Sequence, residues 1–315
     1  MTKVVLTVTN DLSFDQRMCR ICESLSKAGF DVTLIGRKAP NSIELEPALY
    51  SRKRLSMIFS KGKLFYTEFS IRLFFRLLFI KADIICAIDL DTILPVYFIS
   101  KLKGAQRVYD AHELFCEMKE VVSRPQIYKF WKSVEKNTVP NFKAGYTVND
   151  SIRDEFRKMY GVEYKVIRNV PKSYSLLIPR NKQPYFIYQG AVNEGRCFES
   201  LIPAMKHVDA PLLICGEGNF MAKARDLVKS HNLGEKILFK GPLLPSDLRD
   251  LTVNAWAGIT LFDREGKSNY YSLANRFFDY IAAGIPQLCV NYPVYAEINK
   301  EHEVALLIDE TDPVT

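Results

Sequence analysis

No glycine occurs between Met1 and Ala28. The turn after the first apolar strand therefore lacks the G-x-G-x-x-G that seats a dinucleotide's pyrophosphate, which argues against a nicotinamide oxidoreductase. Nor is there an unbroken run of about 18 apolar residues, because Arg72, Arg76 and Lys81 interrupt the best candidate. No transmembrane span is expected. The start of the chain shows no basic leader, apolar signal core or small-residue cleavage site, so no secretory signal is expected either. Cysteines number seven, an odd set scattered along the chain, which is no disulfide framework and points to a reducing, cytoplasmic compartment. Cys19 and Cys22 form a C-x-x-C inside a predicted helix, where free cysteine packs as a small hydrophobe. A net charge of +7 comes without any nucleic-acid-binding motif, and no nucleic-acid partner is expected.

What is present is an alternation of short apolar strands and amphipathic helices along 315 residues, a length that suits two domains. Strands are predicted at KVVLTVT, DVTLIG, DIICAID, RVYDA, AGYTVN and KVIRNV, and then at YFIYQG, PLLICG, KILFKG, AGITLF, PQLCV and VALLID. Between the two series lies the polar, proline-bearing stretch 171–184, read as a linker. The expected fold is α/β, with two Rossmann-like domains, 1–170 and 185–315, facing across a cleft. Thr311 or Asp312 followed by Pro313 reads as the start of a further helix, so the C-terminal end looks truncated.

Charge is concentrated. Eight bases and one acid lie between Arg52 and Lys81, a local +7 that equals the chain's net charge. Bases interleaved with Phe and Leu in this 52–81 segment suit a helix on an anionic membrane surface; a core helix with Arg72 and Arg76 on its solvated edge is the alternative.

Several polar groups fall at predicted strand ends, where open α/β sheets bind ligands. Asn10 and Asp11 follow the first strand and are placed to bond a sugar or an acceptor, or to form an Asx-type cap. Asp89 and Asp91 make a D-x-D of the kind that holds a divalent ion, although Asp91 also fits the first turn of the next helix, the preferred reading. In YDAHELF, Asp110, His112 and Glu113 crowd a strand end, and an imidazole there can bond a sugar hydroxyl. Gly190 closes the first strand of the second series. Arg196 stands just before a helix, where a base makes sense if an anion lies between them. Gly216 and Glu217 lie in a tight turn after another strand. Finally, in SNYYSLANRFFDYIAAGIPQLCV, the residues Ser272, Asn275, Arg276 and Asp279 share one face of a helix otherwise built of Leu273, Phe277, Phe278 and Ile281.

TNDLSFDQR, DLDTILP, YDAHEL, the G-x-G turn and above all SLANRFFDYIAAGIP resemble glycosyltransferase family 4, enzymes with the two-domain GT-B fold that retain anomeric configuration. The likeness spans nearly the whole chain. It implies a hexosyltransferase-type enzyme moving sugar from a nucleotide diphosphate sugar to a polysaccharide or lipid-linked glycan, as in lipopolysaccharide or capsule biosynthesis. No metal or other cofactor is implied, and the expected place is peripheral, at the inner membrane face. In such enzymes the second acid of a Glu-x7-Glu region binds the ribose; here it is Asp279. The diphosphate is held by backbone around Ser272, Leu273 and Ala274 and by a base matching Arg196, with His112 beside the donor sugar. Two positions depart: the first acid falls at Tyr271, where Asn275 is expected to take over part of its hydrogen bonding, and the first of two bases falls at Ala191. These leave two rival expectations, a metal-dependent transferase using Asp89 and Asp91 and a catalytically weak partner subunit of a glycan-assembly complex.

Overall fold

The computed structural model describes residues 1–13, 15–40, 42–171 and 185–312. The expected linker, apart from Pro171, and the helix start expected at Pro313 lie outside the described residues. The chain divides into two compact units, Met1–Cys116 with Arg124–Arg168, and Glu117–Ser123 with Asn169–Thr315. The sequence placed 117–123 in the first domain; the fold assigns it to the second.

The first unit is a parallel sheet of seven strands, β1 (Lys3–Asp11), β2 (Asp31–Lys38), β3 (Ser51–Ser56), β4 (Ile84–Ile88), β5 (Gln106–Asp110), β6 (Ala144–Thr147) and β7 (Lys165–Val166), in the order β3-β2-β1-β4-β5-β6-β7. Its helices are α1 (Gln16–Lys27), α2 (Gly62–Leu78), α3 (Ile93–Lys103), α5 (Pro125–Thr138) and α6 (Asp150–Tyr160), while α4 (Lys119–Val122) belongs to the second unit. Alternation along β1 sends Val4, Leu6 and Val8 to one side, where they pack with Met18 and Cys22 of α1. Burial of each such side chain contributes roughly 1.5–3 kcal/mol. Asp15 starts α1 by accepting the Met18 N–H, 2.9 Å away, a helix-capping bond.

The basic segment divides between two elements. SRKRLS is the edge strand β3, which the sequence reading missed because its alternation is of bases and short polar residues rather than of apolar ones. Charge on an edge strand discourages pairing with another chain. Helix α2 buries Phe65, Phe69, Leu73 and Leu77 at four-residue spacing and leaves Leu64, Ile71 and Phe75 exposed.

The second unit is a parallel sheet of six strands, β8 (Phe186–Gln189), β9 (Leu212–Cys215), β10 (Ile237–Phe239), β11 (Ala257–Thr260), β12 (Gln287–Val290) and β13 (Leu306–Ile308), ordered β10-β9-β8-β11-β12-β13. It also carries α7 (Phe198–Ala204), α8 (Met221–Ser230), α9 (Pro245–Asn254), α10 (Lys267–Tyr270), α11 (Asn275–Ala282) and α12 (Pro293–Glu301). In both sheets the strand order reverses beside the first strand, at β1/β4 and at β8/β11. Ligands of open α/β sheets sit outside the carboxyl ends of the strands at such switch points.

The helix expected to carry Ser272, Asn275, Arg276 and Asp279 on one face starts later than Ser272. α10 stops at Tyr270 and α11 starts at Asn275, so Ser272 is not helical. The break is fixed by α12, whose Tyr295 hydroxyl accepts the Ala274 N–H at 3.0 Å and lies 3.3 Å from the Ser272 hydroxyl.

Candidate functional site

The carboxyl edge of the first unit gathers an alternating chain of charges. Arg17 of α1 donates to Asp110 at the end of β5, 2.6 Å away, with Asp110 fully buried (0% exposed). His112 stands two residues on, its Nδ1 3.8 Å from Asp110 and its Nε2 3.2 Å from the Asp89 carboxylate that follows β4. Asp89 reaches this place with φ of 58°, a conformation non-glycine residues rarely adopt.

Burial, the largest influence, pushes the His112 imidazole down, but Asp89 and Asp110 together outweigh it and hold the group at about 9. Burial also raises the Asp89 carboxyl well above its ordinary value, so His112 and Asp89 hold a proton between them at neutral pH. Burial likewise tends to raise the Asp110 carboxyl, and Arg17 keeps it at about 2. Because the His112 value lies above its ordinary 6.5, the stabilisation from this pairing is complete below about pH 6.5 and is lost as pH rises through about 9. In Asp89→Asn the imidazole is expected to titrate well below about 9, followed by the NMR shift of its ring protons. A titration still near 9 would contradict the assignment of Asp89 as the cause.

Asp110, expected among the catalytic residues, is instead wholly interior, so its place is to position His112 and Arg17 rather than to touch a substrate. Asp91 does not cap α3. It lies instead in the first helical turn, Leu90–Thr92, that leads into α3, as expected, and its carboxylate accepts from the Thr9 hydroxyl at 2.6 Å. The described residues that bring ligand atoms within 4.8 Å of one another are Asp89, His112 and Glu113. Asn10 is exposed and donates to Asp15 at 3.0 Å. Asp11 is consumed locally: one oxygen accepts from the Ser13 N–H at 2.9 Å, an Asx turn, and the other meets Ser42, with Arg54 3.5 Å away.

The second unit builds its switch point from the ends of β8 and β11. After β8 the chain turns at Gly190 so closely to the β9 turn that a Cβ on Gly216 would overlap the Gly190 carbonyl oxygen. Glu217 lies exposed on that β9 turn, its carbonyl accepting from the Val192 N–H at 2.9 Å. Arg196 lies with its guanidinium carbon 4.5 Å from the Phe262 ring and donates to Asn269 at 2.8 Å. Neither Glu194 nor Glu199, its possible partners by sequence, pairs with it among the described residues.

Asp279, in the last turn of α11, accepts from the Gln189 side chain at 3.0 Å, which ties it to the end of β8. Asn275 lies one turn earlier on the same face of α11, and its side chain accepts from Asn169 at 2.7 Å. Arg276 leaves the stripe, buried against Tyr188 and Phe262. Tyr271 packs its ring on Tyr270, 5.1 Å between centroids. Leu273 is buried, and Ala274 precedes the first turn of α11.

Residues that sequence reading gave no role are Arg17, Gln189, Asn269 and Arg276. The available signal was a polar side chain in an otherwise apolar run, FIYQG for Gln189 and NRFFDY for Arg276.

The family model described as Glycosyl transferases group 1 matches residues 177–314, and the one described as Glycosyltransferase Family 4 matches residues 16–172. Among solved structures the chain is similar to a sucrose-phosphate synthase from Thermosynechococcus elongatus, at 18% identity and TM-score 0.77, covering 100% of this chain and 87% of that one. It is similar to WaaG, a glycosyltransferase involved in lipopolysaccharide biosynthesis, at 15% and 0.72, covering 97% and 85%. Anabaena Alr3699/HepE in complex with UDP-glucose matches at 11% and 0.70, covering 100% and 88%. Likeness at these identities establishes a shared fold, the GT-B architecture. No curated protein matches the chain.

Proposed function

Because the chain belongs to the group 1 and family 4 glycosyltransferases, we propose that it moves a sugar from a nucleotide diphosphate sugar to a glycan or lipid-linked acceptor. Transfer proceeds with retention of anomeric configuration and without a metal. The observation that carries this reading is the β8/β11 switch point: a backbone turn bared by Gly190 and Gly216, with Arg196 free of carboxylates and the Asp279 carboxylate fixed by Gln189.

Each group has a task there. Asp279 accepts hydrogen bonds from the ribose hydroxyls. Arg196 and the positive end of α11 take up charge as the diphosphate departs, an electrostatic contribution greatest in the transition state. In the first unit His112, oriented by Asp89, is the candidate donor to a sugar hydroxyl. With retention, the acceptor oxygen attacks the anomeric carbon on the face from which the diphosphate leaves, and the protein's work is positioning and charge stabilisation.

Thermal unfolding with uridine, guanosine, adenosine and thymidine diphosphates, each in excess chelator, tests the reading. At 100 times its Kd a ligand adds about 2.7 kcal/mol to stability, a rise of several degrees. Loss of the shift in chelator would instead favour a cation held by Asp89, His112 and Glu113.

A peripheral position at the cytoplasmic membrane face is part of the same proposal. No helix among the described residues is long and apolar enough to cross a membrane. The outward Leu64, Ile71 and Phe75 of α2 lie on one helical stripe with Arg72 beside them, suited to lying on anionic lipid. Binding to phosphatidylglycerol vesicles is expected to fall about tenfold or more in Arg72→Glu/Arg76→Glu. Unchanged binding in that variant would remove the membrane surface from the account.

A further inference from the structure

We propose that Arg276 is a diphosphate-binding residue, the cation that answers for the base absent at Ala191. The inference rests on the donor site described above and adds to it a residue from α11 instead of from the loop after β8.

Arg276 is 6% exposed, and no carboxylate pairs with it among the described residues. Its guanidinium carbon lies 4.5 Å from the Tyr188 ring and 4.8 Å from the Phe262 ring. Nη1 donates to the Tyr188 hydroxyl at 3.1 Å and to the Gln189 carbonyl at 3.3 Å, while Nε and Nη2 are buried without any acceptor. A buried guanidinium with two unmet donors is unfavourable unless an anion completes it. Aromatic faces attract the charge but accept none of its in-plane hydrogen bonds. The nearby carboxylates are committed elsewhere: Asp263 to Lys119 at 2.8 Å and to Asn269 at 2.9 Å, and Asp279 to Gln189 at 3.0 Å.

Position points the same way. The Nη1 atom lies 3.3 Å from where a Cβ on Gly190 would stand, so the guanidinium sits against the exposed turn that glycine leaves bare. Tyr188 joins it to Ala191 itself, its hydroxyl donating to the Ala191 carbonyl at 2.7 Å. Arg196, the second cation, stacks on the same Phe262 ring at 4.5 Å. Two guanidiniums on one ring, beside a bare turn and the first turn of α11, present paired forks to a dianion of two phosphates.

Calorimetric titration with inorganic pyrophosphate and with uridine diphosphate tests this on wild type, Arg276→Met, Arg276→Lys and Arg276→Met/Ala191→Lys, each checked for folding by circular dichroism. Expected are a loss of affinity for pyrophosphate of tenfold or more in Arg276→Met, a smaller loss in Arg276→Lys, and recovery of most of it on adding Ala191→Lys. A merely structural arginine gives no such recovery. Should Arg276→Met fail to fold, Arg276→Lys decides, with a loss of threefold or more supporting the role. Pyrophosphate affinity within twofold of wild type in the folded variants overturns the inference and leaves the donor site standing. Wild type that binds neither pyrophosphate nor any nucleoside diphosphate overturns the donor site itself.

Discussion

Replacement of Arg17 by Met is expected to cost the first unit about 3–5 kcal/mol, the range for removing one partner of a buried ion pair. The effect is large because the only other partner of opposite charge that Asp110 has among the described residues is His112, 3.8 Å away. Asp110 is fully buried, one oxygen meets only Arg17 and the more distant His112, and the other has no hydrogen bond among the described residues. Without the guanidinium, burial is opposed only by His112 and the carboxyl rises from about 2. The wild-type pairing stabilises the fold above the ordinary carboxylate range and is lost as pH falls through about 2, because the folded value is the depressed one. Urea unfolding at pH 7 measures the loss as a lower midpoint at unchanged slope. Arg17→Met/Asp110→Leu, which removes both charges, should recover most of it. A single-variant loss under 1 kcal/mol would show that the pair is not the buried support of His112 described here.

Much of this architecture can be read from the sequence, for a physical reason. Both sheets are parallel and covered on two faces, so most strands are continuous apolar runs bounded by turns, such as DIICAID and PLLICG. Strand β3 escapes that logic because it lies at an edge, paired only with β2, and carries bases. In the second unit the candidate residues Gly190, Arg196 and Asp279 could be picked out because their types suit phosphate and hydroxyl chemistry at strand and helix ends.

What could not be read was partnership. Nothing in YDAHEL says that Asp110 is interior and held by an arginine 93 positions away. Nor does SLANRFFDY reveal that the chain before Asn275, held by Tyr295, is not helical, which takes Ser272 out of the stripe. The D-x-D misled in the same way, since spacing alone did not show that Asp91 turns to Thr9 while Asp89 turns to His112.

The second large effect concerns Asp279. Its carboxylate is held at the end of β8 by Gln189, which in turn accepts from Thr252 at 2.8 Å. Such a chain fixes the acceptor before any ligand arrives, so little ordering is left to oppose binding. A ribose presents two adjacent hydroxyls, and each hydrogen bond to a charged acceptor contributes about 1.5–3 kcal/mol. Asp279→Ala is therefore expected to weaken nucleoside diphosphate binding by 100-fold or more, about 3 kcal/mol at the least. The fold should be little affected, because the side chain is only partly buried and leaves behind a neutral amide, Gln189, that retains Thr252. The most direct test compares the unfolding temperatures of wild type and Asp279→Ala across a set of nucleoside diphosphates at millimolar concentration. The account predicts that at least one raises the wild type by several degrees and the variant by less than one. No shift in wild type with any of them, or an equal shift in both proteins, would contradict it.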